Sequence, residues 1–337
     1  MRNSTRVLFN AYLANVAVLN EVAAATDKFN VSPSVQQRLE QRLQESSEFL
    51  KLINIVPVTE QSGQVLGLDA YPYASRTNTA RGDRRQPTDI TSISTVNEYF
   101  CAKTDYDTAI PYAKLDAWAG HSDFELKIRD LIVKSQALAR IMIGFNGQFA
   151  SPETHRDNFP LLQDVNIGWL QKYREFAPQN VLSHGKNNTS VLVGKDGDYT
   201  NVDALVYDCV NNLIDPVYRD DTRLRVIVGR GLINNRQFPL INGNNTPTEI
   251  LAVNTLLGMD KIGGVVSMTA PYFPDNAIFI QPLENLSIYV QEGSRRRLVR
   301  DEPEYDRIAN YESSNDAYVV ENYEAGCLIE NIELAKG

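Results

Sequence analysis

Cysteine, histidine and tryptophan are scarce in this 337-residue chain, with three, three and two copies. The cysteines (Cys101, Cys209, Cys327) are odd in number and far apart, so no disulfide framework is expected and a reducing compartment fits. His121, His155 and His184 have no cysteine or carboxylate at the spacing of a metal site, which leaves them surface or packing roles. The chain has no Gly-x-x-x-x-Gly-Lys phosphate loop and no Gly-x-Ser-x-Gly elbow. Val228-Gly229-Arg230-Gly231 follows a strand pattern but lacks the third glycine and acidic partner of a dinucleotide turn. No apolar run approaches the ~18 residues of a membrane span. The N-terminal stretch breaks its apolar residues with polar ones, unlike a secretory signal. There is no basic excess either: a net charge of −9 argues against a dedicated nucleic-acid binder. These absences predict a soluble cytosolic protein with no cofactor, no metal, no catalytic constellation and no membrane partner.

Hydrophobic content of 43% and charged content of 22% are those of a globular chain, long enough for about two or three domains. Periodicity predicts a helix over residues 5–25, with Val7, Leu8, Tyr12, Val16 and Leu19 on one side. After a polar linker with Pro33, a second helix starts near Ser34 and carries Leu39, Leu43 and Leu50; Leu52–Val58 reads as a strand. The strongest helix signal comes next. Ser122 and Glu125 form a capping-box pattern ahead of Phe124, Ile128, Leu131, Ile132, Leu138 and Met142, and Gly144 with Asn146-Gly147 reads as its end. About twenty helical residues span about 30 Å, enough for the spine of a domain. Residues 148–200 look irregular apart from a short helix in NIGWLQKYREFAP. Beyond Asn201 the pattern is mixed: a helix in VDALVYDCVNNLI, a strand in RLRVIVG, helices in GLINNRQFPLI and TPTEILAVNTLL (capped by Thr246), then strands to the end.

One stretch has little to bury. Between Gln61 and Ile110, two short apolar segments flank a middle with Arg76, Arg81, Arg84, Arg85, Gly82 and Pro87. This reads as a hairpin arm with a polar tip, and a lone two-stranded hairpin is marginal in water. Such an arm needs a neighbour's surface to order it. Arg81-Gly82-Asp83 reads as the loop tip, and its arginines suit a neighbour's carboxylates better than DNA in so acidic a chain. Arg295-Arg296-Arg297 poses the same choice, with a charge-protected hairpin edge as the plainer reading.

Longer segments carry a resemblance. FNAYL at 9–13, VSPSVQQRL at 31–39, INIVPV at 53–58, GFNG at 144–147, LLQDVNIGWLQKYREFAP at 161–178, DYTNVDALVYDCVNNLI at 198–214 and NYESSNDAYVVENYEAGCL at 310–328 are similar to major capsid proteins of P2-like tailed bacteriophages. The resemblance implies an α+β HK97-like capsid fold: an N-terminal arm with an assembly segment at 1–60, an extended E-loop hairpin at 61–110, a peripheral domain with the spine helix at 111–200, an axial domain at 201–275 and return strands at 276–337. It implies a protein that self-assembles into hexamers and pentamers of an icosahedral shell around double-stranded DNA. The implied partners are a scaffolding protein, a prohead protease, a portal protein and DNA held non-specifically, and the implied locations are the virion and the host cytoplasm during assembly. Arg81, Asp83, Arg84 and Arg85 would then make inter-subunit contacts, and Lys28, Phe29 and Asn30 would mark a proteolytic processing region. The alternative from residues alone is a cytosolic α/β enzyme with a long active-site lid.

Overall fold

The computed structural model describes residues 1–65, 74–82, 84–87, 98–121, 123–186, 189–233 and 261–335. Its helices are α1 (Asn3–Leu19), α2 (Pro33–Glu45), α3 (Tyr112–Trp118), α4 (Phe124–Asn146), α5 (Trp169–Phe176) and α6 (Val202–Leu213). The first strands are β1 (Phe29–Asn30), β2 (Asn54–Val58), β3 (Ser62–Gln64), β4 (Glu98–Phe100), β5 (Ala102–Asp105) and β6 (Thr108–Pro111). Next come β7 (Val181–Leu182), β8 (Val191–Val193), β9 (Leu224–Val228), β10 (Lys261–Ile262), β11 (Val265–Met268) and β12 (Ile278–Pro282). The last are β13 (Leu286–Gln291), β14 (Arg296–Glu302), β15 (Arg307–Val320), β16 (Cys327–Ile329) and β17 (Ile332–Leu334).

Two sheets organise the chain. A seven-stranded sheet runs β1-β14-β15-β13-β2, with β5 and β6 also paired to the long β15. A six-stranded sheet runs β10-β11-β9-β12-β16-β7. The segment after residue 276 serves both: β12 and β16 sit in the second sheet, while β13, β14 and β15 lie in the first. Helix α6 covers the second sheet, placing Leu205, Val206 and Cys209 in one core with Val226, Val228, Ile278, Ile280 and Cys327. Asn201 starts that helix by accepting a hydrogen bond from the Ala204 amide at 2.8 Å. The helix in TPTEILAVNTLL, with Thr246 and Pro247, and most of that in GLINNRQFPLI lie outside the described residues.

Helix α4 is longer than its pattern predicts and is anchored differently at both ends. Ser122 lies outside the described residues. Asp123 is the N-cap residue, without a side-chain cap bond, and the Glu125 carboxylate accepts from Asn15 Nδ2 of α1 at 3.1 Å. The buried stripe is Phe124, Ile128, Ile132, Val133, Gln136, Ala137, Arg140 and Ile141, whereas Leu131 is 47% exposed. Two polar residues thus hold inward positions that an apolar count assigns elsewhere. Gly144 does not end the helix. A Cβ there would fall 2.2 Å from the Trp169 ring, and one on Gly168 would fall 2.4 Å from the Ile143 carbonyl oxygen. The GFNG and NIGW segments are therefore a close approach between α4 and α5. Trp169 is fully buried there, edge-on to Phe145 and Tyr318, with its Nε1 donating to the Ser287 carbonyl at 3.1 Å.

Helix α1 turns inward a face that shares only Tyr12 and Val16 with the expected one. Thr5, Phe9, Tyr12, Val16 and Ala17 are buried, whereas Val7 and Leu19 are 69% and 57% exposed. Its sequence is apolar on most sides, so periodicity could not choose a face. The helix stops at Leu19 rather than near residue 25: Asn20 Nδ2 donates back to the Val16 carbonyl and Glu21 takes the left-handed region at φ 58°.

Candidate functional site

The arm is rooted in the first sheet. Strands β3 and β4 pair antiparallel from Ser62–Phe100 to Gln64–Glu98, and the Cys101 amide donates to the Gln61 carbonyl at 2.7 Å. Val65 and Cys101 are buried with Tyr289, Ala317 and Val319 of β13 and β15, and the Tyr99 ring packs edge-on to Tyr289 at 5.0 Å. Beyond this root, Arg76, Arg81, Arg84 and Arg85 are exposed. Among the described residues no carboxylate pairs with them. The tip turns through a short 3-10 segment, Thr79–Arg81, closed by Gly82 at φ 90°, which only glycine adopts without strain. Asp83, Leu66, Leu68, Ile90, Ile93 and Val96 lie outside the described residues.

Where the arm rejoins the body, the structure assembles a buried charge network that motif reading missed. The Arg140 and Arg295 side chains are 0% exposed, Asp316 0%, Glu312 2% and Glu40 11%. Glu40 of α2 bridges both guanidinium groups, accepting from Arg295 Nη1 at 2.7 Å and from Arg140 Nη1. Arg295 Nε donates to Glu312 at 2.7 Å, and Arg140 Nη2 lies 3.3 Å from Asp316. Gln136 Nε2 donates to Glu312 at 2.9 Å while its Oε1 accepts from Arg295 Nη2. Tyr106, in the turn between β5 and β6, donates its hydroxyl to Asp316 at 2.7 Å, and Ser314 donates to the same carboxylate at 2.8 Å. The network therefore ties α2, α4, the turn before β14, strand β15 and the exit of the arm.

The arginine run divides accordingly. Strand alternation sends Arg295 and Arg297 inward and Arg296 out. Arg295 is core, and Arg297 bonds Asn310 Oδ1 at 2.7 Å and the Tyr12 hydroxyl at 2.8 Å. The expected charged edge is thus one exposed arginine, Arg296, beside two structural ones.

Burial works against the charge of Glu312, but Arg295 and Arg297 outweigh it and hold the carboxyl down at about 2, against an ordinary 4.5. Burial likewise opposes the charge on Arg140, yet Asp316 and Glu40 keep that guanidinium protonated well above its usual range. Glu312 has a depressed folded-state value, so its stabilisation is complete above pH 4.5 and is lost as pH falls from there toward 2. In urea unfolding at stepped pH, Glu312→Gln should start less stable than wild type but lose less stability over that interval. Equal losses in both proteins would remove Glu312 from the acid response.

The N-terminal segment is part of this architecture. Strand β1 pairs Phe29 with Arg297 and Asn30 with Arg296; Phe29 is 7% exposed, while Lys28 and Asn30 are exposed. Helix α1 is fastened by Arg6 to Asp301 at 2.7 Å and by its buried face, which shares a core with Ile128, Ile132, Val299 and Ile308.

The remaining candidate groups do not converge. His121, His155 and His184 are exposed and separate. Burial pushes the Cys101 and Cys209 thiols up to about 12, so neither supplies a thiolate near neutral pH. Burial raises the thiol of Cys327, in β16, as well, whereas Cys101 sits just between β4 and β5 and not within a strand. Among the described residues no group of three His, Cys, Asp or Glu could hold a metal ion, and no helix is long and apolar enough to cross a membrane.

Comparison with known proteins gives consistent matches. Residues 8–332 match the family model described as phage major capsid protein, P2 family. The capsid proteins of Escherichia phage P2 are 46% identical over 343 residues, covering 99% of this chain and 96% of theirs. The major capsid protein of Serratia phage KSP20 is 40% identical, covering 100% of this chain and 99% of its own. Among solved structures, a chain of the satellite phage P4 procapsid including size determination (Sid) protein superimposes with a TM-score of 0.82 at 43% identity, covering 100% of this chain and 99% of that one.

Proposed function

We propose, from the premise that this chain belongs to the P2 family of phage major capsid proteins, that its arm is the element joining one subunit to the next. As a member of that family the chain is a structural protein of the phage virion with the HK97-type α+β fold, self-associating into the shell, and not an enzyme. One observation carries the proposal. The arm's root is packed into the first sheet, while its arginines are exposed and form no ion pair with a described carboxylate of their own subunit.

In this reading residues 61–110 are the E-loop, and Arg81, Asp83, Arg84 and Arg85 meet acidic groups of the neighbouring subunit in hexamers and pentamers. The seven-stranded sheet with α4 forms the peripheral domain. The six-stranded sheet with α6 forms the axial domain in this reading, and that sheet also holds β7 and, from the return segment, β12 and β16. A scaffolding protein and a prohead protease act during assembly, a portal protein occupies one vertex, and double-stranded DNA contacts the inner surface non-specifically. Processing falls at Lys28, Phe29 and Asn30, and β1 must first leave β14 for a protease to reach the chain.

Replacing Arg84 and Arg85 together by glutamate should abolish or sharply reduce shells seen by electron microscopy. Far-ultraviolet circular dichroism and the thermal midpoint should stay near wild type, because neither side chain is buried in the subunit. Normal yields of shells from the double variant would sink the proposal.

A further inference from the structure

Among the described residues, β2 is an open edge of the seven-stranded sheet. It pairs on one side only, parallel to β13, and on that side its Val58 carbonyl accepts from the Glu292 amide at 2.8 Å. Successive residues of a strand present their backbone groups to opposite sides. The Ile55 amide and carbonyl and the Pro57 carbonyl therefore face away from β13. Gln44 Nε2 of α2 takes the Ile53 carbonyl on this outer side at 3.0 Å, and no described strand pairs with the rest. An unpaired strand edge is a template for another chain, and Pro57, with no N–H to give, limits this one to a short segment.

Between that edge and α2 runs an open groove, lined by Gln37, Gln41, Gln44, Ile55, Pro57 and Glu292. Gln37 and Gln41 are exposed on its wall, where their carboxamides can both donate and accept. Negative charge is in excess at one end. Glu292 is bonded to Val58 there, Glu60 follows two residues beyond, both are exposed, and neither forms an ion pair among the described residues. The cation bordering the groove, Arg38, turns its Nε back to the Ser34 carbonyl of its own helix at 3.3 Å.

The arm supplies the matching features. Residues 84–87 read Arg-Arg-Gln-Pro; they are exposed and lie outside any helix or strand. The residue before a proline favours extended backbone, which suits Gln86 to a strand edge. We infer, on the reading of the arm as the element that joins subunits, that residues 84–87 of a second copy lie in the groove between α2 and β2. Their backbone follows the outer edge of β2, and Arg84 and Arg85 meet Glu60 and Glu292.

Charge reversal tests this. Glu60→Lys with Glu292→Lys should cut the yield of shells about ten-fold or more, because like charges then face each other across the contact. Both side chains are exposed, so the subunit's circular dichroism should not change. Adding Arg84→Glu and Arg85→Glu puts the reversed pairing on every subunit and should restore most of the yield. A chain with Gln41→Cys and Gln86→Cys, treated as shells with a short bismaleimide, should run as dimers and higher oligomers in denaturing gels. The three native cysteines are buried and should not react. Gln86→Cys with Asp130→Cys, exposed on α4 outside the groove, should stay monomeric. The inference is overturned by normal shells from the Glu60 and Glu292 variant, by no rescue, or by a Gln41 pair that links no better than the Asp130 pair. If Arg84→Glu with Arg85→Glu blocks shells while Glu60→Lys with Glu292→Lys does not, the arm joins subunits at another surface. If neither blocks them, the reading of the arm itself falls.

Discussion

Asp316→Ala should cost the subunit about 3–5 kcal/mol of unfolding free energy, the range seen when one partner of a buried ion pair is removed. Three consequences coincide at this site. Arg140, fully buried, would keep only Glu40, a carboxylate already shared with Arg295. The Tyr106 and Ser314 hydroxyls would lose the acceptor they now reach at 2.7 and 2.8 Å. Each buried polar group left unsatisfied costs about 1–3 kcal/mol, though such costs do not simply add. Urea unfolding followed by tryptophan emission gives the number. Adding Arg140→Met should restore part of the loss, because it removes the uncompensated charge rather than a second useful bond. A double variant no more stable than Asp316→Ala would show that the stranded guanidinium is not the source.

Gly144→Ala should destabilise by about 1–3 kcal/mol, the usual cost of overpacking a filled core. The sign is what makes this decisive. In a helix interior, alanine is favoured over glycine by about 0.8–1 kcal/mol, so propensity alone predicts a gain. Packing predicts the reverse, since the new Cβ would lie 2.2 Å from the Trp169 ring. Trp169 touches Phe49, Phe145 and Tyr318, so it has no free side toward which to yield. Gly120→Ala is the control: it is exposed, nothing lies within 4 Å of its added Cβ, and it should change stability by no more than about 0.5 kcal/mol. A stabilised Gly144→Ala protein would mean that the α4–α5 approach has slack.

These two sites mark the boundary of what the residues disclosed in advance. The spine helix, the α6–β9 succession and the strand-rich end were legible because their apolar periods are long. The capsid family was legible because long segments such as those at 161–178 and 310–328 keep their order along the chain. The inward face of α1 was legible only in part: Tyr12 and Val16 are buried as their spacing suggested, but Phe9 and Ala17 complete that face in place of Val7, Leu8 and Leu19. Glu40, Arg140, Arg295, Glu312 and Asp316 stayed hidden because they come from four distant segments and match no motif. One local sign was available. Gln136 and Arg140 fall four apart on the same stripe as Val133, Ala137 and Ile141, where a polar pair must be satisfied from elsewhere in the fold. The role of Gly144 was misread for a related reason: a glycine near a helix end signals a stop unless the ring it accommodates is known.

The path of the chain after residue 276 also bears on when the protein becomes able to polymerise. Strand β12 joins the second sheet, β13 through β15 complete the first, and β16 then inserts between β12 and β7. Neither sheet can close before the segment after residue 276 has been made, because β12 and β16 pair with β9 and β7 in one sheet while β13 and β14 pair with β2 and β1 in the other. Such non-local pairing is slow to form and comes late in synthesis. A chain lacking that segment therefore has neither sheet finished. The segment after residue 276 thus completes both sheets in one late step.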